Sequence, residues 1–115
     1  MSGPRTVSGT LHLADAVAPG TIVRVKLEDV SRLDAPAVVV GEAVLPLASG
    51  AIAGTNIPFS ITVPAVSEAE SYVVRAHVDT TGSGDISPGD LVSTRAYPVL
   101  TQGNPDRVLV EARKI

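Results

Sequence analysis

The sequence contains no cysteine, which excludes disulfides, thiolate chemistry and cysteine-based zinc or iron–sulfur sites. In the chain as given, this absence also excludes a lipidated N-terminal cysteine. Aromatic residues make up only 3% of the 115 residues, so surfaces that stack on sugars or nucleic-acid bases are not expected. The sequence has no basic run and a formal charge of -3, which provides no electrostatic basis for binding nucleic acid or an acidic membrane.

Long apolar stretches are also missing. No run approaches the roughly 18 residues that a membrane-spanning helix requires. The first residues, MSGPRTVSGT, lack the apolar region of a signal peptide. We therefore expect no membrane span, and a chain that is either cytoplasmic as given or a mature fragment of a cell-envelope protein. The sequence leaves the compartment, the oligomeric state and the identity of any partner open.

Hydrophobic residues reach 44% of the sequence with few aromatics, so valine, isoleucine, leucine and alanine must build the core. With Gly 10 and Pro 9, this composition favours strands joined by turns. Alternating apolar and polar side chains predict seven strands and no convincing helix. We predict a single all-β domain over residues 1–115, with its core at about 6–113, folded as a seven-strand immunoglobulin-like or transthyretin-like β-sandwich. The predicted strands are Thr6–Ala14, Thr21–Val30, Ala37–Leu45, Ile57–Val63, Tyr72–Asp79, Leu91–Tyr97 and Arg107–Arg113.

One segment, Asp79–Asp90 (DTTGSGDISPGD), has the spacing of a twelve-position calcium loop. Such a loop needs oxygen donors at positions 1, 3, 5, 9 and 12, a backbone carbonyl at 7 and glycine at 6, where Gly84 falls. Because only Asp79 and Asp90 would be charged side-chain ligands, calcium should bind at extracellular rather than cytosolic levels. The predicted ligands are Asp79, Thr81, Ser83, Asp85, Ser87 and Asp90, with Asp85 contributing its carbonyl or, in a rearranged loop, its carboxylate.

The same segment is also typical of a long hairpin turn without metal. Gly82 and Gly84 can supply positive φ, and aspartate and serine side chains can bond to their own backbone. Pro88-Gly89 then makes a second turn. The sequence leaves both interpretations open.

Two further stretches carry a family resemblance. LEDVSRLDAPA, at Leu27–Ala37, leaves the second predicted strand, and AYPVLTQGNP, at Ala96–Pro105, leads into the last one. Together with VSGTL (Val7–Leu11) and YVVRAHVD (Tyr72–Asp79), they resemble the YbaY/YscW family of small bacterial β-domains over about residues 6–112. The resemblance implies a seven-strand sandwich and a cell-envelope association. It also implies a relation to the pilotin of type III secretion, an outer-membrane lipoprotein that escorts the secretin ring component.

The sequence departs from the lipoprotein pattern of that family in two respects. It has no lipobox cysteine. It also carries the long loop Asp79–Asp90, where many relatives are expected to have a short hairpin turn. The resemblance brings no catalytic motif, so no catalytic or cofactor-binding residue is predicted.

A non-enzymatic binding or assembly module is therefore the first functional hypothesis. A β-sandwich exposes edge strands that can pair with an extended segment of a protein partner, and Val38-Val39-Val40 is the candidate surface if it lies near an edge. The alternatives are a purely structural domain without metal and, least favoured, an uncharacterised hydrolase. The hydrolase would have to use His12 and His77, which both fall on polar strand faces where histidines are usually only solvated.

Overall fold

A computed structural model describes residues 3–32 and 34–115 of the chain. Met1, Ser2 and Leu33 lie outside the described residues, and Leu33 belongs to the LEDVSRLDAPA stretch. Over the described ranges the chain forms eight strands and no helix, which confirms the prediction of an all-β fold class. The strands are β1 Arg5–Leu13, β2 Thr21–Asp29, β3 Val38–Leu47, β4 Asn56–Val63, β5 Tyr72–Asp79, β6 Leu91–Ser93, β7 Tyr97–Val99 and β8 Arg107–Lys114.

The strands form one continuous sheet in the order β3-β2-β5-β6-β8-β1-β4, and β7 pairs with β5. All strand pairs are antiparallel except β1 with β8, which is parallel. The sheet curls until its two end strands, β3 and β4, approach one another, so that it is nearly closed like a barrel. The more specific expectation of an immunoglobulin-like or transthyretin-like sandwich is not confirmed.

Gly41 allows the two end strands to meet. A Cβ atom at this position would lie 2.7 Å from Ile61 Cγ2 and 3.1 Å from Val63 Cγ1, both on β4. The register of β3 shifts just before this contact, because Leu27 of β2 pairs with Gly41 while the next residue of β2 pairs with Val39. Val40 is therefore the extra residue of a β-bulge, and such a bulge bends the strand locally.

The core follows the predicted alternation of side chains. Along β2 and β4, buried apolar residues alternate with more exposed ones. The C-terminal end of β5 differs, because both faces are buried there, including His77 and Asp79. The loop after β5 accounts for this burial, since it folds back over the outer face of the strand. The prediction of a solvated His77 is therefore wrong.

Two predicted strand boundaries also change. The strand predicted at Leu91–Tyr97 is interrupted at residues 94–96, and its halves become β6 and β7, which pair with opposite ends of β5. The strand predicted at Ala37–Leu45 continues to Leu47 through Pro46. Proline is tolerated there because β3 is an end strand, where a missing N–H costs no ladder bond on the open side.

Candidate functional site

The carboxylate of Asp79 organises the loop between β5 and β6. Its Oδ1 accepts hydrogen bonds from the N–H of Gly82 at 2.8 Å and from Thr81, and its Oδ2 accepts from the N–H of Gly84 at 2.9 Å. Arg24 Nε also donates to Oδ2, at 3.2 Å. Burial acts to raise the pKa of Asp79, but the hydrogen bonds outweigh it and hold the pKa below its usual range. Asp79 is therefore a buried, charged centre around which the loop turns.

Asp90 closes the other end of the loop onto β5. Its Oδ2 accepts from His77 Nε2 at 2.7 Å and from the N–H of Ser87 at 3.1 Å, and its Oδ1 accepts from the N–H and the hydroxyl of Thr80. Asp90 is fully buried and His77 is nearly so. Burial acts to raise the pKa of Asp90, but the hydrogen bonds from His77, Thr80 and Ser87 outweigh it and place the pKa well below its usual range.

The other predicted calcium ligands follow one another around the loop. Thr81 Oγ1 lies 3.2 Å from Asp79 Oδ1 and 3.0 Å from Ser83 Oγ. Ser83 Oγ lies 3.2 Å from the carbonyl oxygen of Asp85, and Ser87 Oγ lies 3.5 Å from that same oxygen. The structure thus brings together the oxygens predicted for positions 1, 3, 5, 7 and 9. The carboxylate of position 12 is instead bonded to β5 and to the two ends of the loop.

The sequence analysis missed the role of His77 in this region. His77, Asp79 and Asp90 each offer a ligand atom within 4.8 Å of the others, and all three are buried. Arg24 already holds one of these carboxylates, so its positive charge opposes a second cation at the same oxygen. Alternation alone could not reveal the cluster, because the loop covers a strand face that the pattern assigns to solvent.

The histidines do not form a nucleophile–base arrangement. His12 Nδ1 lies 2.8 Å from Asn56 Oδ1, whereas His77 is paired with Asp90. Within residues 3–32 and 34–115, no serine hydroxyl is hydrogen-bonded to either histidine. The geometry gives the hydrolase interpretation no support.

A second site lies at the open edge of β3. Val38, Val39 and Val40 are 60%, 48% and 37% exposed. Beside Val40 is a cavity of about 600 Å³, and beside Val38 is a smaller one of about 200 Å³. We call Val38–Val40 together with residues 65–72 the β3 groove. The larger cavity is lined by Val40, Ala65, Val66, Ser67, Glu68, Glu70 and Tyr72, and the smaller one by Asp29, Ser31, Arg32, Pro36, Val38 and Glu70.

The two stretches that carry the family resemblance both form hydrogen bonds to the wall of this groove, at Glu70 and Ser71. Thr101, within AYPVLTQGNP, is buried, and its hydroxyl donates to the carbonyl oxygen of Glu70. The hydroxyl of Ser31, within LEDVSRLDAPA, accepts from the N–H of Ser71 at 2.8 Å and donates to Asp29 at 2.6 Å. This proximity was not predictable from the sequence, because each stretch looks like an independent connection between strands.

The backbone of AYPVLTQGNP is bent to deliver Thr101 to this position. Leu100 and Gln102 have φ values of 72° and 58°, in the left-handed region that few non-glycine residues adopt. Leu100 is buried, and its N–H donates to the carbonyl oxygen of Pro105 at 2.9 Å. Packing and hydrogen bonding therefore offset the cost of the unusual backbone conformation.

Two carboxyl groups lie side by side at the junction of the two cavities. The Asp29 side chain, hydrogen-bonded to Glu70, raises the pKa of Glu70, while hydrogen bonds from Glu70 and Ser31 lower the pKa of Asp29. Tyr72 donates its hydroxyl to Glu70 Oε2 at 3.3 Å and accepts from the N–H of Ser67 at 3.1 Å. We call the carboxyl groups that line the two cavities, those of Asp29, Glu68 and Glu70, the acidic rim of the groove. Hydrogen bonds within the domain hold Asp29 and Glu70 in place.

The sequence matches, over residues 2–111, the protein family described as "Type III secretion system lipoprotein chaperone (YscW)". Its fold is similar to that of an alternative pilotin from the type II secretion system of Vibrio cholerae. The TM-score is 0.79 at 19% sequence identity, with 97% of each chain covered. The sequence has no significant match among curated proteins. No helix in the described part of the chain has the length and apolar character needed to cross a membrane.

Proposed function

The chain belongs to the family of type III secretion system lipoprotein chaperones (YscW), and from this premise we propose that it is a non-enzymatic module that binds a segment of a secretion-system protein in the β3 groove. The family resemblance inferred from the sequence is confirmed. The family is named for a chaperone role rather than an enzymatic one, and the pilotin-like fold is consistent with an assembly role. We carry over from the resemblance that the partner is a secretin.

The observation that carries the proposal is the open edge of β3. This strand forms a ladder with β2 on one side, and no ladder joins its other side to β4 in the described sheet. Three consecutive exposed valines on such an edge, next to a cavity, form a larger apolar surface than scattered single residues do. An extended segment can add to an unpaired edge through main-chain hydrogen bonds and place a side chain in the neighbouring cavity.

Binding of a purified C-terminal segment of a secretin tests this proposal. The test variant combines Val38→Thr with Val40→Thr, because threonine keeps the β-branched shape while adding a hydroxyl group. The matched control is Val44→Thr, which changes a 47% exposed valine of the same strand outside the groove. We expect the double variant to bind about tenfold more weakly and the control to bind like the unmodified protein. Equal weakening in both, or no binding by the unmodified protein, would overturn the proposal.

We further propose that the loop Asp79–Asp90 takes a calcium ion. The support is the contact among the donor oxygens of positions 1, 3, 5, 7 and 9, which are five of the six positions predicted to supply ligands. The carboxylate of Asp90, at position 12, stays bonded to His77 and Thr80. A bound ion would replace hydrogen bonds among these hydroxyls, with water completing its shell of six to eight oxygens. It would hold the connection between β5 and β6 and supply no reaction chemistry.

Calcium titration by calorimetry, with melting temperatures in calcium and in chelator, tests this second proposal. At a calcium concentration ten times Kd, we expect about 1.4 kcal/mol of added stability and a rise of several degrees in Tm. Ser83→Ala should remove the response, whereas Asp85→Asn should keep it because the carbonyl is the predicted ligand. Absence of heat, with an unchanged Tm in chelator, would establish the metal-free turn.

If the secretin segment also fails to bind, a purely structural domain is the remaining interpretation.

A further inference from the structure

We propose that the β3 groove selects a segment in which a lysine or arginine lies next to an aliphatic residue. This inference rests on the binding role proposed above and specifies the chemistry of the partner. It joins two properties of the same surface, an apolar cavity at an unpaired strand edge and an acidic rim.

The first property is the apolar floor of the larger cavity. Buried Val66 and Tyr72 lie beside the exposed side chain of Val40, at the bulge where β3 bends. A volume of about 600 Å³ accommodates an aliphatic side chain together with the stem of a neighbouring lysine or arginine. Such stems bury their methylene groups along apolar surface while the charged end stays near water.

The second property is the negative charge of the acidic rim. Asp29, Glu68 and Glu70 line the two cavities, whereas Arg32 is the one cationic side chain among the lining residues. Glu70 belongs to both cavities, and its carboxylate accepts a hydrogen bond from the Tyr72 hydroxyl at 3.3 Å. A segment crossing from one cavity to the other would therefore pass a fixed carboxylate.

A partner's cation in the groove would be attracted by these carboxylates. Asp29 and Glu70 both line the smaller cavity, so a positive charge placed there would lie near two carboxyl groups. Glu68 Oε1 lies 3.8 Å from Arg5 Nη1, and because the Glu68 side chain is well exposed this ion pair contributes little to stability. An acidic segment would instead add to the negative charge of the rim.

Three short synthetic peptides with blocked ends test the inference. They alternate valine with lysine, with serine or with glutamate, so that their main chains and apolar side chains match. In 0.15 M salt, which suppresses long-range attraction, we expect the valine–lysine peptide to bind about fivefold more tightly than the valine–serine peptide. The valine–glutamate peptide should bind most weakly.

The decisive variant combines Glu68→Gln with Glu70→Gln, and its control combines Glu42→Gln with Asp106→Asn. Both change the net charge equally, but the control residues line neither cavity of the groove. The first variant should lose the preference for lysine while still binding the valine–serine peptide, and the control should keep the preference. If all three peptides bind the groove equally, the inference is overturned while the binding role stands. If none binds, or if the chain pairs with a second copy of itself through β3 instead, both are overturned.

Discussion

The hydroxyl of Thr101 donates to the carbonyl oxygen of Glu70, 31 residues away in sequence, and joins the loop after β7 to the wall of the β3 groove. Thr101 is 1% exposed, so its hydroxyl is shielded from water. On the other side of the same peptide unit, the N–H of Ser71 donates a hydrogen bond to the hydroxyl of Ser31. The two stretches that carry the family resemblance thus act on neighbouring residues of one wall, which links the family pattern to the proposed binding surface.

Thr101→Val should lower both stability and binding. Valine matches threonine in shape but leaves the Glu70 carbonyl without its donor, which costs about 1–3 kcal/mol in the free energy of unfolding. Urea denaturation measures this loss, and a binding titration with the secretin segment measures the accompanying loss of affinity. The control is Thr62→Val, which removes an exposed bond to the hydroxyl of Thr6. A control that loses as much stability and affinity as Thr101→Val would contradict this role.

Asp90→Asn should destabilise the domain strongly. The substitution keeps the size of the side chain but removes the buried negative charge that faces His77 and the N–H of Ser87. Removing a buried charge that accepts several hydrogen bonds costs about 3 kcal/mol, which is on the order of 10 °C in Tm for a domain of this size. Asp85→Asn is the matched control, since Asp85 is exposed. Equal melting temperatures for the two variants would show that the charge of Asp90 is not needed.

The stability of the unmodified protein should fall as the pH drops below about 4. Asp79 and Asp90 both have a pKa in the folded protein below the usual value for aspartate, which is about 3.9 in the unfolded chain. Their contribution is therefore complete above the unfolded value and is lost as the pH falls towards the folded value. Urea denaturation at a series of pH values should show that the free energy of unfolding falls more steeply at acid pH for the unmodified protein than for Asp90→Asn. Parallel curves would contradict the assignment to Asp90.

Gly41→Ala should weaken the contact between the two ends of the sheet. The added Cβ would lie 2.7 Å from Ile61 Cγ2, closer than real atoms approach, so β3 or β4 must shift. We expect a loss of about 1–3 kcal/mol in the free energy of unfolding, as for other overpacked sites. Gly3→Ala provides the control, because a Cβ there meets no atom within 4 Å. Unchanged stability of Gly41→Ala would mean that the two edges do not need this close approach.

Side-chain alternation was enough to predict most strands, because a half-buried strand imposes a period of two on its residues. The alternation in β2 and β4 is the clearest case. The same rule failed at His77, where a loop covers the face that the pattern assigns to water. It also could not predict whether the strands make one sheet or two, since that depends on contacts such as the one between Gly41 and Ile61.

The candidate sites were predictable to different extents. The loop spacing identified the oxygens that gather between Asp79 and Ser87, because a calcium loop is defined by consecutive positions. The sequence predicts a candidate surface at Val38–Val40 if this run lies near an edge, but its position on an end strand depends on the sheet order. The acidic rim was not foreseen, because Asp29 and Glu70 come together only when two distant connections meet.

The most direct test of the binding surface is a titration of the labelled protein with the secretin segment, followed through backbone amide chemical shifts. The account predicts that the largest changes fall on Val38–Val40 and on residues 65–72, while the loop Asp79–Asp90 changes little. Largest changes in that loop or along β4, or no change at any amide, would contradict it.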